Sequence, residues 1–182
     1  MLRPHDNNVL GIEDIDRKKR RKIMRERILT VLEKNARIKT DDLAGVLGED
    51  VEKVKSEVEN MEKEKVICGY HTIINWDKCG MEKADAFIEV KVTPQKGFGF
   101  DQMAERIYQY PEVSGIFLIS GSCDFIVFIE GKSMREIAMF VSEKLSPIDG
   151  VLSTTTQFIL KKYKQDGFVV EGPERDKRTE IS

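Results

Sequence analysis

The sequence predicts an α+β chain in two parts, three short amphipathic helices followed by a small sheet in the order strand, helix, strand, strand, helix, strand. Three observations carry that expectation. Apolar residues recur at helical spacing three times between residues 17 and 65. Between residues 84 and 160 the apolar period switches repeatedly between two and about 3.6, in the order βαββαβ. At the centre of that second pattern, the polar loop Gly121-Ser122-Cys123-Asp124 separates the two most apolar strands.

Taken in order, residues 1–16 contain Pro4, two consecutive asparagines and little periodicity, and are expected to be a flexible leader. Met24, Ile28, Val31 and Leu32 then fall at i, i+4, i+7 and i+8, the stripe of a helix with one buried face. Asn35 to Lys39 breaks the stripe. Thr40 is a good N-cap with Asp41 and Asp42 in the first turn, and Leu43, Ala44 and Leu47 carry the next apolar face to Gly48. Asp50 caps a third helix, in which Val51, Val54, Val58 and Met61 repeat at three and four. Three helices with so short a break before the last define a helix-turn-helix over residues 17–65. Residues 66–83 begin with the β-branched tract Val66 to Asn75, expected to be an extended strand, and continue as a polar hinge containing Gly80.

The second domain is expected over residues 84–164. Ala86, Ile88, Val90 and Val92 alternate with Asp85, Glu89 and Lys91, a strand with one face buried. Pro94 to Gly99 turns the chain, and its Gly-x-Gly spacing lacks the third glycine of a nucleotide cradle. Asp101 caps a helix carrying Met103, Ala104, Ile107 and Tyr108, which Pro111 stops. Ser133 and Glu136 form a capping box ahead of Ile137, Phe140, Val141 and Leu145, and Pro147, Asp149 and Gly150 turn the chain into a last strand, Val151 to Leu160. Residues 165–182 read as a charged tail. The central strands Ile116 to Ile119 and Phe125 to Ile129 are apolar on both sides, although two helices cover only one face of a four-stranded sheet. An identical sheet from a second subunit is the simplest cover, so an obligate homodimer is expected.

Composition narrows the function. With 182 residues, 40% hydrophobic and 34% charged, the chain has the make-up of a soluble globular protein of one or two domains. Its longest apolar runs are far too short to span a bilayer and no secretory pattern follows the N-terminal charges, which predicts a cytoplasmic protein with no membrane partner. Cys68, Cys79 and Cys123 lack CxxC or zinc spacing and read as reduced thiols; with His5 and His71 the only histidines, neither a metal centre, nor a cofactor, nor a catalytic site is expected. The net charge of −2 conceals a solid basic block, Arg17 to Lys22.

Several short motifs occur together in order: Asn35-Ala36-Arg37-Ile38, then Leu43-Ala44, then Val66-Ile67-Cys68-Gly69-Tyr70. This set resembles the Lrp/AsnC family, the feast/famine regulators. The second half resembles that family's RAM domain (regulation of amino-acid metabolism), with its Gly-x-x-Asp loop at Gly121 to Asp124 and its strand Thr154-x-Thr156. The resemblance covers roughly residues 17–164. It implies a winged-helix-like DNA-binding domain, a ferredoxin-like RAM domain, dimers through the RAM sheets, octamers of four dimers, and an amino acid or related metabolite bound between dimers. Four positions depart from the family pattern: Glu57 stands where relatives usually carry Arg, Lys65 where they usually carry Gly, Asp50 where a serine cap is common, and Cys123 where the residue is often larger.

Candidate site residues follow. On the third helix Glu52, Lys53, Lys55 and Ser56 would read base edges, with Lys39, Thr40 and the basic block, Arg20 and Arg21 included, on phosphates. Against this, Asp50 to Lys65 holds six acids and four lysines, the wrong sign for a helix entering a groove. The alternative is a metabolite-binding or assembly protein whose degenerate helix-turn-helix merely packs. In the loop, backbone N–H groups of Gly121, Ser122 and Cys123 suit a ligand carboxylate and Asp124 suits its ammonium, with Thr154 and Thr156 helping to line the pocket. The competing reading is an ordinary hairpin in which Asp124 hydrogen-bonds its own turn. Sirohaem decarboxylases look similar in fold, but Val66 to Asn75 is similar to the regulators and no cationic cluster near the sheet suits a polycarboxylate tetrapyrrole. No enzyme is expected.

Overall fold

The computed structural model describes residues 7–81, 83–93 and 99–170. Most of the turn expected from Pro94, the first six residues and the end of the tail lie outside them. The chain divides into two compact units, Met1–Thr72 and Ile73–Ser182, so the division falls within the β-branched tract rather than after the hinge.

The first unit is all helical: α1 (Asn7–Lys34), α2 (Thr40–Leu47) and α3 (Val51–Lys63). Helix α1 starts well inside the segment read as a leader. Met24, Ile28, Leu43, Ala44, Leu47, Val54 and Met61 form its core, as the three stripes require. Caps set the turn between α2 and α3. Gly48 takes a left-handed φ of 67° and the amides of Gly48 and Glu49 return to Gly45 and Ala44, ending α2. The Asp50 carboxylate then accepts from the Lys53 amide at 3.1 Å and starts α3. Thr40 does not cap α2. Lys39 holds the extended cap position without a side-chain bond, which puts Thr40 inside the first turn.

Beyond α3, Lys65 lies at φ 58°, a left-handed conformation in which a side chain is strained. The amides of Val66 and Ile67 both return to the Met61 carbonyl, so this turn is required to close the helix. The expected strand from Val66 to Asn75 does not form within one copy of the chain; among the described residues the tract pairs with no strand. At the hinge, Asp77–Cys79 makes one 3-10 turn closed by Gly80 at φ 66°, and the Lys83 ammonium sits 4.0 Å over the Trp76 ring.

The second unit contains β1 (Ala84–Val92), α4 (Phe100–Tyr108), β2 (Val113–Leu118), β3 (Phe125–Gly131), α5 (Met134–Phe140, continuing as a wide π turn to Leu145) and β4 (Val151–Ile159). The sheet is antiparallel in the order β2-β3-β1-β4. Alternation decides its two faces. Ala86, Ile88, Val90 and Val92 of β1 and Phe125, Val127 and Ile129 of β3 pack under α4 and α5 with Ile107, Ile137, Phe140 and Leu145. The Ser133 hydroxyl accepts from the Glu136 amide at 3.2 Å, and the Glu136 carboxylate accepts from the amide of Lys132, one residue before the cap, at 2.6 Å, a shifted form of the expected box that starts α5. Helix α4 starts two residues earlier than expected, with Gly99 at its cap and Asp101 within its first turn.

Neither α4 nor α5 covers the opposite face. Phe87 and Phe128 pair across β1 and β3, and Phe128 meets Phe117 edge-on at 5.7 Å. Gly115 lies opposite Phe128, where an added Cβ would come within 3.2 Å of the Phe117 ring, so a side chain there would crowd the cluster. Phe117 is 58% exposed and Phe128 37%. Beyond β4, part of the expected charged tail folds as a ribbon of β5 (Lys164–Gln165) and β6 (Phe168–Val169). Asp166 and Gly167 both take positive φ, as the tight turn of a two-residue hairpin demands. The Asn75 amide ties the ribbon's end by donating to the Val170 carbonyl at 3.0 Å.

Candidate nucleic-acid interface and effector loop

Helix α3 has a buried and an exposed face, and the division is not the one its charges suggest. Val54, Glu57 and Met61 lie on the buried face. Glu52, Lys53, Lys55 and Ser56 are exposed. Glu57, one of the departures from the family pattern, is a buried charged group at 7% exposure. Its carboxylate accepts from Arg21 Nε at 3.0 Å and also from Arg25 Nε, both on α1. Arg25 in turn grips Glu64 with both terminal nitrogens, at 2.6 and 2.9 Å. Burial pushes the Glu57 carboxyl up, but the two guanidinium groups outweigh it and hold it below the usual carboxylate range. The hydrogen bond from Arg25 likewise holds Glu64 low.

This clamp changes the charge argument. Glu57 and Glu64 face α1 arginines, leaving Asp50, Glu52, Glu59 and Glu62 against four lysines, a balanced rather than an acidic helix. Lys53 also bonds Glu49 at 2.7 Å. Of the basic block, Arg20 pairs with Asp16 at 2.6 Å and stays largely exposed, whereas Arg21 folds onto Glu57 with its side chain half exposed. Lys39 is exposed at the cap of α2 and Thr40 is half-buried in its first turn. A cleft of about 680 Å³ runs between α1 and α3, with Arg17, Arg20, Arg21, Arg27 and Lys53 on its walls. The inward turn of Glu57 went unread, although its spacing three after Val54 and four before Met61 already placed it on the buried stripe.

In the sheet unit, the Asp124 carbonyl closes the β2–β3 hairpin by accepting from the Ile119 amide at 2.9 Å, but its carboxylate and amide reach out of the turn. Its Oδ2 accepts from the Val92 amide at 2.8 Å and its amide donates to the Val90 carbonyl at 3.0 Å, so the loop is fastened to the end of β1. Gly121 and Ser122 are exposed, and Cys123 is buried with a free thiol. Thr154 pairs with Val90 and Thr156 with Ile88 on the far side of β1. Two strand spacings, roughly 9–10 Å, therefore separate the loop's strand from the threonines. Thr154 shares a 3.1 Å hydrogen bond with the Ser146 hydroxyl. Loop and threonines thus stand at one end of the sheet but are not in one contact group.

A short-turned three-helix unit with an exposed third-helix face, followed by a βαββαβ sheet with a polar mid-chain loop, defines the class of two-part helix-turn-helix regulators. The comparisons agree. The family model of the Lrp/AsnC ligand binding domain matches residues 85–169. The HTH-type transcriptional regulator YugG of Bacillus subtilis is 49% identical over 85% of this chain and 94% of its own length. The HTH-type transcriptional regulator LrpA of Pyrococcus abyssi is 30% identical over 75% of this chain and 94% of its own. Among solved structures, the fold is shared with Escherichia coli AsnC (TM-score 0.59, 21% identity, 78% of this chain and 93% of that one). It is shared too with the feast or famine regulatory protein of Mycobacterium tuberculosis complexed with L-methionine (TM-score 0.63, 21% identity, 81% and 97%). The chain belongs to the Lrp/AsnC family of HTH-type transcriptional regulators. This overturns the enzyme alternative, because the family is one of regulators. No described helix is long and apolar enough to cross a membrane.

Proposed function

We propose that the protein is a cytoplasmic, ligand-responsive regulator that reads duplex DNA as a homodimer and senses an amino acid or related metabolite through its RAM sheet. The observation that carries the DNA half is the inward turn of Glu57, which leaves Glu52, Lys53, Lys55 and Ser56 on an exposed, charge-balanced face. That removes the main support for a degenerate helix-turn-helix. Lys39, Thr40, Arg20 and Arg21 would supply phosphate contacts beside it.

For the sensing half, the loop from Gly121 to Cys123 offers backbone N–H groups to a carboxylate. Asp124 keeps one oxygen on Val92 and turns the other toward an ammonium, with Thr154 and Thr156 reached from a neighbouring dimer's side of the site. The relative solved with L-methionine makes a zwitterionic amino acid the natural candidate. Such an effector acts by favouring one assembly of dimers, up to an octamer, over another, and only through different affinity for the two.

Gel-shift titration of the gene's own upstream region at two salt concentrations, with and without a panel of amino acids, tests both halves. A specific complex weakened by salt and altered by one amino acid is expected. Affinity no better than for random duplex would contradict the DNA half, and indifference to every amino acid would contradict the sensing half.

A further inference from the structure

The hinge and the C-terminal ribbon are each too slight to hold a shape alone. The hinge has a single 3-10 turn, Asp77–Cys79, and the ribbon has two strands of two residues each, β5 and β6. A lone 3-10 turn and a lone two-stranded hairpin are marginal in water, because few hydrogen bonds stand against the cost of ordering the backbone. In this chain the two pieces are joined.

The joint is Asn75. Its Oδ1 accepts from the Lys78 amide at 3.3 Å, which starts the hinge turn, and its Nδ2 donates to the Val170 carbonyl at 3.0 Å. The second bond is partly buried and connects residues 95 apart in sequence. The Val170 amide donates to the Tyr163 carbonyl at 3.0 Å, closing the ribbon at the residue that Asn75 holds. Lys162 pairs with Asp85 of β1 at the ribbon's entry. On the hinge side, the amides of Cys79 and Met81 return to the Trp76 carbonyl and that of Gly80 to Asp77. One planar amide thus serves both pieces, its oxygen on the hinge and its nitrogen on the ribbon.

We propose that the C-terminal ribbon is a strap that orders the hinge, so that ribbon and hinge form and release together as one two-state element. All of these bonds lie within the second unit. Because the hinge leads from the helical unit into the sheet, seating the strap gives the sheet a means of acting on the DNA reader. That consequence rests on the regulator reading above, whereas the strap itself does not.

Amide hydrogen exchange of the full chain tests this with one substitution on each side of the joint. Gly167 lies at φ 87° with open space where a Cβ would stand, so Gly167→Val acts on the ribbon's turn alone. It is expected to speed exchange at Cys79, Gly80 and Met81 roughly 2- to 10-fold, the weight of one hydrogen bond, and to leave the β1 and β3 amides unchanged. Asn75→Asp keeps the acceptor for Lys78 and loses the donor to Val170, and is expected to speed exchange at Val170 and at the same three hinge amides. A ribbon that opens while the hinge amides keep their protection overturns the strap. So does a ribbon that stays protected in Asn75→Asp, since it would then hold itself. Gel-shift titration of both variants tests the consequence. The preference for the gene's own upstream region over a random duplex is expected to fall, because a looser joint costs most where two reading helices of a dimer must be placed together. Faster exchange with an unchanged preference overturns the regulatory role. An unaltered protein that binds neither duplex overturns the DNA reading, and exchange still decides the strap.

Discussion

The two units handle an anomalous residue in opposite directions. In the helical unit the anomaly is a carboxylate on an apolar stripe, and Glu57 is turned inward and matched by Arg21 and Arg25 of the same copy. In the sheet unit the anomaly is a set of apolar rings on the face away from α4 and α5, and Phe117 and Phe128 are turned outward, 58% and 37% exposed. Electrostatic compensation is short-ranged and stoichiometric, so a small core can complete it alone. A flat apolar area needs another flat apolar area, which a chain with both sheet helices on one side does not have. The first unit therefore completes its charge pairing within one copy, whereas the open face of the second is the surface that the proposed homodimer would cover.

The largest test of that contrast is Phe128→Asp. In a two-fold pairing of the open faces the substitution enters twice, placing two carboxylates in one apolar contact, and a loss of at least about 4 kcal/mol in association is expected. The sheet's own core lies on the other face, so far-ultraviolet circular dichroism is expected to stay unchanged. Unaltered self-association by sedimentation would break the comparison.

Next in size is Glu57→Arg. If the carboxylate blocked DNA from the outside, this change would raise DNA affinity. Because it lies on the buried face between Arg21 and Arg25, the change sets three guanidinium groups together and is expected to destabilise the helical unit by about 3 kcal/mol, read by chemical denaturation, with no gain in binding. The smallest effect is expected at Lys65, whose φ of 58° strains a side chain. Lys65→Gly is expected to stabilise the unit by roughly 0.5–1 kcal/mol, the relief of strain less the extra chain entropy of glycine.

Much of this was legible in the sequence because the signals are local. Asp50 and Ser133 cap where a short polar acceptor precedes an apolar period, and Gly48 ends α2 where only a left-handed residue fits. The strand alternation and the doubly apolar centre were equally plain, and so was the consequence that one sheet face stays open. Helix starts were misplaced, by one position at Thr40 and by two at Asp101, because Lys39 and Gly99 take the extended cap geometry without a side-chain bond. The ribbon at 164–169 was lost in a charged surrounding, although Asp166-Gly167 is itself a turn signal. The clamp was hardest to see, since Arg21 and Glu57 are distant in sequence and a tally of charges along one helix ignores which face each occupies. The candidate effector residues were found as a motif; their division across β1 is a property of sheet order, which no local pattern states.

Sedimentation equilibrium of the unaltered chain at micromolar concentration tests the central claim most directly. A dimer, or a multiple of dimers, that Phe128→Asp dissociates into folded single chains is the expected result. A stable single chain, with its aromatic face in water and no tendency to pair, would contradict the account.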